Sequence, residues 1–344
     1  MIKFDLRVMN QIFTAKAIER LREFLEKNNR KTEIELLTPD ASTREYFRIN
    51  WNDSTAIACV YPESFLAKEQ TYIDATNLFL VGGLPVAKIF DFSENLGVII
   101  QEDFGDTILR DVLAESDSGG KENLLDKATV LIAEIQAATT KAFELDSIAS
   151  RLKFDEEKLL WELNFFKTHY FETLKKETLS PKDDAALTEE LAELSVELSE
   201  RANVLCHRDF HPANLMIDRQ NCLRIIDHQD ARIGAASYDL VSLLLDRRTD
   251  IPDARWLDEK MRFFLSEREN LGLETIRFEQ FEYEFELQTV QRCLKAVGTF
   301  SFQSINRSRI YFIPFIVPTL QIVLESLGKL NRFPHLRRVI EKNV

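Results

Sequence analysis

Residues 204–217 read Val204-Leu205-Cys206-His207-Arg208-Asp209-Phe210-His211-Pro212-Ala213-Asn214-Leu215-Met216-Ile217. After a turn around Asp218-Arg219-Gln220-Asn221 the chain continues Leu223-Arg224-Ile225-Ile226-Asp227-His228-Gln229-Asp230. Short apolar runs enter and leave a polar loop, the pattern of strands bracketing a turn. Three of the five histidines fall in this stretch, so chemistry is concentrated here. Asn214 supplies an amide oxygen and Asp227, at the end of the next apolar strand, a carboxylate. That pair is the hard-oxygen donor set magnesium takes, with other positions left for water and phosphate. His207 and His211 stand at i,i+4, the spacing that holds zinc on a helix. A strand precedes them, Pro212 follows at once and no Glu lies between them to act as a base, all of which argue against a zinc hydrolase.

His-Arg-Asp followed five residues after the Asp by Asn is the catalytic-loop pattern of kinases. Phosphoryl transfer needs an in-line hydroxyl and neutralised phosphate oxygens, and little covalent help from the protein. On this reading Asp209 is the catalytic residue, accepting a hydrogen bond from the attacking hydroxyl and orienting it. Asn214 and Asp227 are the Mg2+ ligands, and His207 and Arg208 brace the loop. Downstream, Gly234-Ala235-Ala236-Ser237-Tyr238-Asp239-Leu240 begins a helix with Asp239 in its first turn. A carboxylate suits the helix dipole there and can tie back to the loop. Upstream, the turn Asp40-Ala41-Ser42-Thr43 lies between two expected strands, where a kinase places its phosphate-covering loop. It has no glycine, but exposed amides and the hydroxyls of Ser42 and Thr43 are donors for phosphate.

Outward from these motifs the chain divides in two. Lys16–Asn28 carries Ile18, Leu21 and Leu25 on one face of an amphipathic helix. Glu33–Leu37, Arg44–Ile49, Thr55–Tyr61, Leu84–Phe90 and Gly97–Gln101 read as strands, with a helix from about Ser64 to Leu80 inserted after the third. Beyond Glu102 helical patterns dominate, and short strands return only between Asn203 and Asp227. The expected class is α+β, with a small antiparallel-sheet N-terminal lobe over residues 1–102 that binds nucleotide. A mainly helical catalytic and substrate-binding lobe over 103–344 completes it. The acidic run Asp183–Glu200 has leucines at helical spacing and reads as a solvated amphipathic helix.

Composition narrows the partners. In 344 residues Lys plus Arg is 44 against 57 Asp plus Glu, a net charge of −13. A protein that neutralises phosphates along a duplex is expected to be basic, so nucleic acid is not an expected partner. The N-terminus has no continuous apolar run and does not read as a signal peptide. The most apolar stretch, Tyr311–Leu324, is shorter than the roughly 20 residues a membrane span needs. It reads as a buried helix begun or bent by proline, so no membrane partner is expected. Four scattered cysteines with no C-x-x-C pair read as small core residues of a reducing compartment, which places the protein in the cytoplasm.

His207-Arg208-Asp209-Phe210-His211-Pro212-Ala213-Asn214, Ile226-Asp227-His228-Gln229-Asp230-Ala231 and Tyr238-Asp239-Leu240 resemble the aminoglycoside phosphotransferase superfamily of kinase-like enzymes. The chain is similar, more narrowly, to the N-acetylmuramate/N-acetylglucosamine anomeric kinases of bacterial cell-wall recycling. Asp40-Ala41-Ser42-Thr43-Arg44-Glu45-Tyr46-Phe47-Arg48, Gln101-Glu102-Asp103-Phe104-Gly105 and Gln291-Arg292-Cys293-Leu294-Lys295 carry that narrower likeness. The resemblance implies a two-lobed protein-kinase-like fold with ATP between the lobes, held by Ser42, Thr43 and Arg44 and by the backbone of Gln101 and Asp103. It implies a small-molecule hydroxyl as acceptor, the anomeric hydroxyl of an amino sugar, with His211, Asp230 and Arg292 as candidate contacts. Arg247 and Arg248 are further candidates for an acidic acceptor. The alternatives are a cationic aminoglycoside as acceptor, or a nucleotide-binding pseudokinase acting as an interaction module.

Two positions depart from the kinase pattern. The third strand, Ala56-Ile57-Ala58-Cys59-Val60-Tyr61, lacks the lysine that holds the α- and β-phosphates; Arg44, Arg48 and Lys68 are the candidate substitutes. His228 stands where an aromatic residue commonly follows the metal-binding Asp. A histidine can tune a site with pH, but a packing role is the simpler expectation.

Overall fold

A period-2 pattern of apolar residues orders the strands of the first hundred residues. In the computed structural model, which describes residues 6–37 and 44–344 with the side chains of 6–12 excepted, five strands form one antiparallel sheet. They are β1 (Ile34–Leu37), β2 (Glu45–Trp51), β3 (Ser54–Val60), β4 (Ile89–Ser93) and β5 (Val98–Glu102), in the order β1-β2-β3-β5-β4. Phe47, Ile49 and Trp51 on β2, Ala56, Ala58 and Val60 on β3, and Val98 and Ile100 on β5 point to one face. There they pack with Ala17, Leu21, Phe24 and Leu25 of α1 (Leu6–Lys27). Cys59 and Ile99 face the other way, toward Tyr72 and Ile73 of α2 (Thr71–Val81). The period-2 pattern thus gives the sheet two covered faces.

Two compact units result: residues up to Thr107 together with Met216–Gln229, and Ile108–Leu215 together with Asp230–Val344. The second is mainly helical. Its helices are α3 (Leu109–Glu115), α4 (Ser118–Ala137), α5 (Thr139–Glu144), α6 (Ile148–Arg151), α7 (Glu156–Lys167), α8 (Pro181–Glu200), α9 (Tyr238–Leu245), α10 (Ala254–Asn270), α11 (Phe278–Asn306), α12 (Ile316–Leu330) and α13 (Pro334–Glu341). Between α8 and α9 in sequence come four short strands: β6 (Val204–Cys206) and β9 (Arg232–Gly234), which pair in the second unit, and β7 (Leu215–Ile217) and β8 (Leu223–Ile225), which pair with each other and lie, from Met216 on, in the first.

Helix α11 is the axis of this unit. It packs closely on α7 because Gly298 has no side chain: a methyl group there would stand 2.7 Å from the Cα of Phe166. That approach sets Gln291 and Lys295 of α11 against Glu162 of α7, whose carboxylate accepts a hydrogen bond from Gln291 Nε2 at 2.9 Å.

Three expectations from the sequence need correction. The fourth strand begins at Ile89, not Leu84. Proline has no N–H for a sheet ladder, and the carbonyl of Pro85 instead accepts from the Ile225 amide at 3.0 Å while Val86 bridges Ile225. Strands do not end at Asp227, since β9 follows and pairs with β6. The C-terminal apolar run is longer than expected: Ile310–Leu330 spans 21 residues, enough by length and composition to cross a membrane. Its Pro314 sits in a 3₁₀ turn; α12 packs against α11, and Ile316, Leu320, Val323 and Leu327 of α12 are buried.

Candidate active site

In the second unit β6 delivers the loop that begins at His207. Its conformation is set from below by Asp239, in the first turn of α9 and fully buried. The carboxylate of Asp239 accepts the amide N–H of His207 at 2.6 Å and that of Arg208 at 3.0 Å. Arg208 has φ +87°, a left-handed conformation that costs energy for a non-glycine residue and persists only when its surroundings enforce it. The Asp239 bonds supply that enforcement. Burial pushes the Asp239 carboxyl above its ordinary range, while the two amides and the nearby His207 oppose the shift. The His207 ring is buried edge-on against Phe210, with centroids 5.5 Å apart. Arg208 reaches Asp230 with Nη1 2.7 Å from Oδ2. His207, Arg208 and Asp239 thus form one brace.

Asp209 stands on that brace with 30% of its side chain exposed, so a ligand can reach it. Its Oδ1 accepts from Lys295 Nζ at 3.2 Å and Arg292 Nη2 at 3.3 Å, while Arg208 Nε lies 3.9 Å from Oδ2. Burial alone would raise its pKa; the Lys295, Arg292 and Arg208 cations outweigh burial and hold it well below the usual carboxylate range. The backbone carbonyl of Asp209 accepts from Asn214 Nδ2 at 2.9 Å. That bond commits the nitrogen end of the Asn214 amide to the loop; of its two ends, the oxygen is the one of the kind a metal takes. Burial lowers the pKa of His211 despite its proximity to Asp246 and Asp209.

Arg292 is buried and also donates to Ser242 Oγ at 3.0 Å. Arg247 and Arg248 are engaged elsewhere: Arg247 Nε lies 3.4 Å from Asp246, and Arg248 Nη2 lies 2.9 Å from Asp250. Asp230 is the partner of Arg208, which makes it part of the brace in this structure. Lys295 and Glu162 received no role from the sequence. Lys295 follows Arg292 by three residues on a helix, so both share a face, and that spacing was the available signal. Glu162 lies in an ordinary amphipathic helix and carries no signal of its own.

The first unit holds the other sequence-selected residues. Asp227 follows β8 with φ +64° and a side chain 44% exposed. Its Oδ1 accepts from Gln229 Nε2 at 2.6 Å and lies 3.5 Å from Arg44 Nη2. Of the three candidate substitutes for the absent strand lysine, Arg44 is therefore the one beside Asp227. Arg48 is bound to Asp103 and Asp106 at 2.8 and 2.7 Å, and Lys68 is exposed beside Glu69. Ser42 and Thr43 lie outside the described residues.

Gln101 sits in β5, opposite Ile57 on one side and Ile89 on the other. The Asp103 side chain is almost fully buried, and burial would raise its pKa. Hydrogen bonds from Arg48, Thr55 Oγ1 and the Gly105 amide outweigh that and lower it. Its carboxylate is committed to holding the turn after β5. His228 is buried between Tyr72 and Phe79, with Nε2 2.8 Å from Thr76 Oγ1. It fills the aromatic position as a packed ring.

The second unit thus holds an ionised Asp on a braced loop and an Asn bonded to that loop, and the first unit holds a strand-end Asp beside an arginine. The same chain carries a match to the model of the phosphotransferase enzyme family over residues 33–274. The chain belongs to this family. It is 28% identical over 274 residues to the N-acetylmuramate/N-acetylglucosamine kinase of Neisseria meningitidis serogroup B, covering 79% of each chain. It is 27% identical over 270 residues to the protein of the same name from Pseudomonas aeruginosa, covering 76% of this chain and 74% of that one. Among solved structures it is similar to the ADP-bound aminoglycoside phosphotransferase APH(2'')-Ib, with a TM-score of 0.55 and 14% identity. The match covers 89% of this chain and 97% of that one. The protein is a phosphotransferase with the kinase-like α+β fold expected from its sequence.

Proposed function

We propose that this phosphotransferase moves the γ-phosphoryl group of ATP to a hydroxyl of an amino sugar of the N-acetylmuramate or N-acetylglucosamine type, with Mg2+. The observation that carries the reading is the state of Asp209: ionised, partly open and fixed from its own backbone outward. A carboxylate held that far below its ordinary pKa is a poor general base but a good orienting acceptor. In a loose phosphoryl-transfer transition state the hydroxyl needs alignment more than deprotonation. The acceptor oxygen bonds to the γ-phosphorus, the bond to the β,γ-bridging oxygen breaks, and ADP leaves. The hydroxyl proton passes late to Asp209, once bond formation has made it acidic, and from there to solvent.

Asn214 and Asp227, the pair that the sequence motif assigns to Mg2+, would be its ligands; both carry hard oxygens of the kind the ion takes. The metal, when bound, neutralises charge on the phosphate oxygens. Arg44 would take the part of the missing strand lysine, and the backbone of Gln101 and Asp103 would meet adenine. Two relatives named as kinases of these amino sugars support the acceptor class, and the ADP-bound fold neighbour supports the nucleotide. Dependence on ATP and the reduced, buried thiols of Cys59, Cys206 and Cys293 suit the cytoplasm. A polycationic aminoglycoside is disfavoured, because Arg292 and Lys295 already stand at Asp209.

The test is ADP release from MgATP over a panel of N-acetylmuramate, N-acetylglucosamine, other hexoses and kanamycin-type aminoglycosides. Turnover that depends on an amino sugar supports the reading. Turnover with aminoglycosides alone sinks the acceptor assignment, and nucleotide binding with no turnover on any acceptor points to a pseudokinase.

A further inference from the structure

Two cations converge on a single oxygen of Asp209, more than one carboxylate needs. Lys295 Nζ and Arg292 Nη2 approach the same Oδ1 at 3.2 and 3.3 Å. Orienting a carboxylate takes one charged donor; a second, on a buried amine, carries a desolvation cost that a nearby anion must offset. The next carboxylate, Glu162, lies 4.0 Å from Lys295 Nζ, beyond hydrogen-bond reach. Its Oε2 is already taken by Gln291.

Donor capacity is left over. Arg292 uses Nη2 on Asp209 and Ser242, while its buried Nε meets no acceptor among the described residues. Lys295 has three N–H groups and, among the described residues, one side-chain acceptor within hydrogen-bond distance, Asp209. Burial and the neighbouring Arg292 lower the pKa of Lys295, and Asp209 and Glu162 only partly offset them. An incoming anion would complete this cluster.

We propose that Arg292 and Lys295 form a carboxylate subsite, one helical turn wide on α11, that selects an acceptor sugar bearing an acidic substituent close to the hydroxyl phosphorylated. This rests on the amino-sugar kinase reading above and names which of the two sugar types the site was built for. The acceptor's carboxylate takes up the unused N–H groups of Arg292 and Lys295 while both keep their bonds to Asp209 Oδ1. The other oxygen, Oδ2, is left to accept the acceptor's hydroxyl, with Arg208 Nε 3.9 Å away. A neutral sugar leaves the spare N–H groups without an anion and is not held in register with Asp209. Lys295 is thus a specificity and positioning residue.

The experiment compares kcat/KM for N-acetylmuramate and for N-acetylglucosamine, which differ by the O3-lactyl group that carries the carboxylate, in the wild type, Lys295→Met and Lys295→Arg. The expected result is a fall in the N-acetylmuramate to N-acetylglucosamine ratio of roughly ten- to hundredfold in Lys295→Met, the size of one charged hydrogen bond. Lys295→Arg keeps the ratio within about threefold, and it preserves the test if the Met variant does not fold. Equal losses on both sugars, or an unchanged ratio, overturn the subsite and leave Lys295 as a support for Asp209 alone. Calorimetric binding of N-acetylmuramate separates this outcome from failure of the kinase reading. If the wild type turns over neither sugar but binds the acidic one in a Lys295-dependent way, the subsite stands and the kinase reading falls. If it binds neither, the subsite falls as well.

Discussion

Asp209 and Asp227 are both acids at the ends of short strands, yet their surroundings are opposite. Asp209 is clamped: two cations on one oxygen, its backbone carbonyl bonded to Asn214, and its loop pinned by Asp239 through two amides. Asp227 is nearly half exposed; its Oδ1 lies 3.5 Å from Arg44 and accepts from Gln229. The difference matches the roles proposed for them. An orienting acceptor must be in place before the substrate arrives, because its value lies in fixed geometry. A metal ligand must be open to solvent, because Mg2+ arrives with its own water and phosphate ligands. The positive φ of Arg208 and of Asp227 marks each loop as held in shape, the first by buried bonds.

Breaking the clamp is expected to have the larger effect. Asp239→Ala leaves the amides of His207 and Arg208 without their acceptor, at about 1–3 kcal/mol for each buried unsatisfied group. Turnover of the folded fraction should fall at least about 10²-fold, the scale on which a displacement of about 1 Å of a catalytic group acts. Denaturant melts and steady-state kinetics on the same preparation separate the two losses; wild-type turnover with lowered stability would show that Asp239 serves folding alone.

On the open side, Asp227→Asn should raise the Mg2+ needed for half-maximal rate by at least about tenfold, in line with what metal-site substitutions cost. Excess metal should recover part of the rate, whereas excess metal should not rescue Asp239→Ala. Arg44→Ala should raise the KM for ATP about tenfold, the size of a lost charged hydrogen bond, with a smaller change in kcat. An unchanged KM would remove Arg44 as the substitute for the absent strand lysine.

The smallest expected effect is on pH dependence. The Asp209 pKa is depressed in the folded protein, so its charge is present at and above the ordinary carboxylate pKa of about 3.9. That charge, and the stability it contributes, is lost only as pH falls through the lower folded value. The acid limb of kcat/KM should therefore show no titration of Asp209 between pH 5 and 7 (about one unit or more above that ordinary value). An acid limb in that window that vanishes in Asp209→Asn would contradict the clamp.

The legible part of this molecule was whatever repeats or carries its own spacing. The five strands and the helix inserted after the third followed from alternation and turn residues. The His207–Asn214 loop and Asp227 announced themselves because kinase chemistry imposes fixed intervals on adjacent residues. The return of Met216–Gln229 to the first unit was not legible, since it is a contact between segments about a hundred positions apart in a chain. Lys295 and Glu162 were missed for the same reason. Each lies on a helix whose pattern explains itself, and only the approach allowed by Gly298 sets them near each other. Arg48 was a plausible phosphate ligand by position, but the carboxylates of Asp103 and Asp106 engage it, and no local pattern predicts that pairing.

The most direct test of the central claim, that Asp209 orients the acceptor hydroxyl within a clamp already formed, is a single-turnover measurement on Asp209→Asn. Phosphoryl transfer from γ-labelled MgATP to N-acetylmuramate would be followed with enzyme in excess, alongside nucleotide affinity and thermal stability. The account predicts an ATP affinity within about threefold of the wild type and a transfer rate lower by about 10²–10⁴-fold, the span of a positioned acid–base group. A folded, nucleotide-binding variant that transfers at the wild-type rate would contradict it.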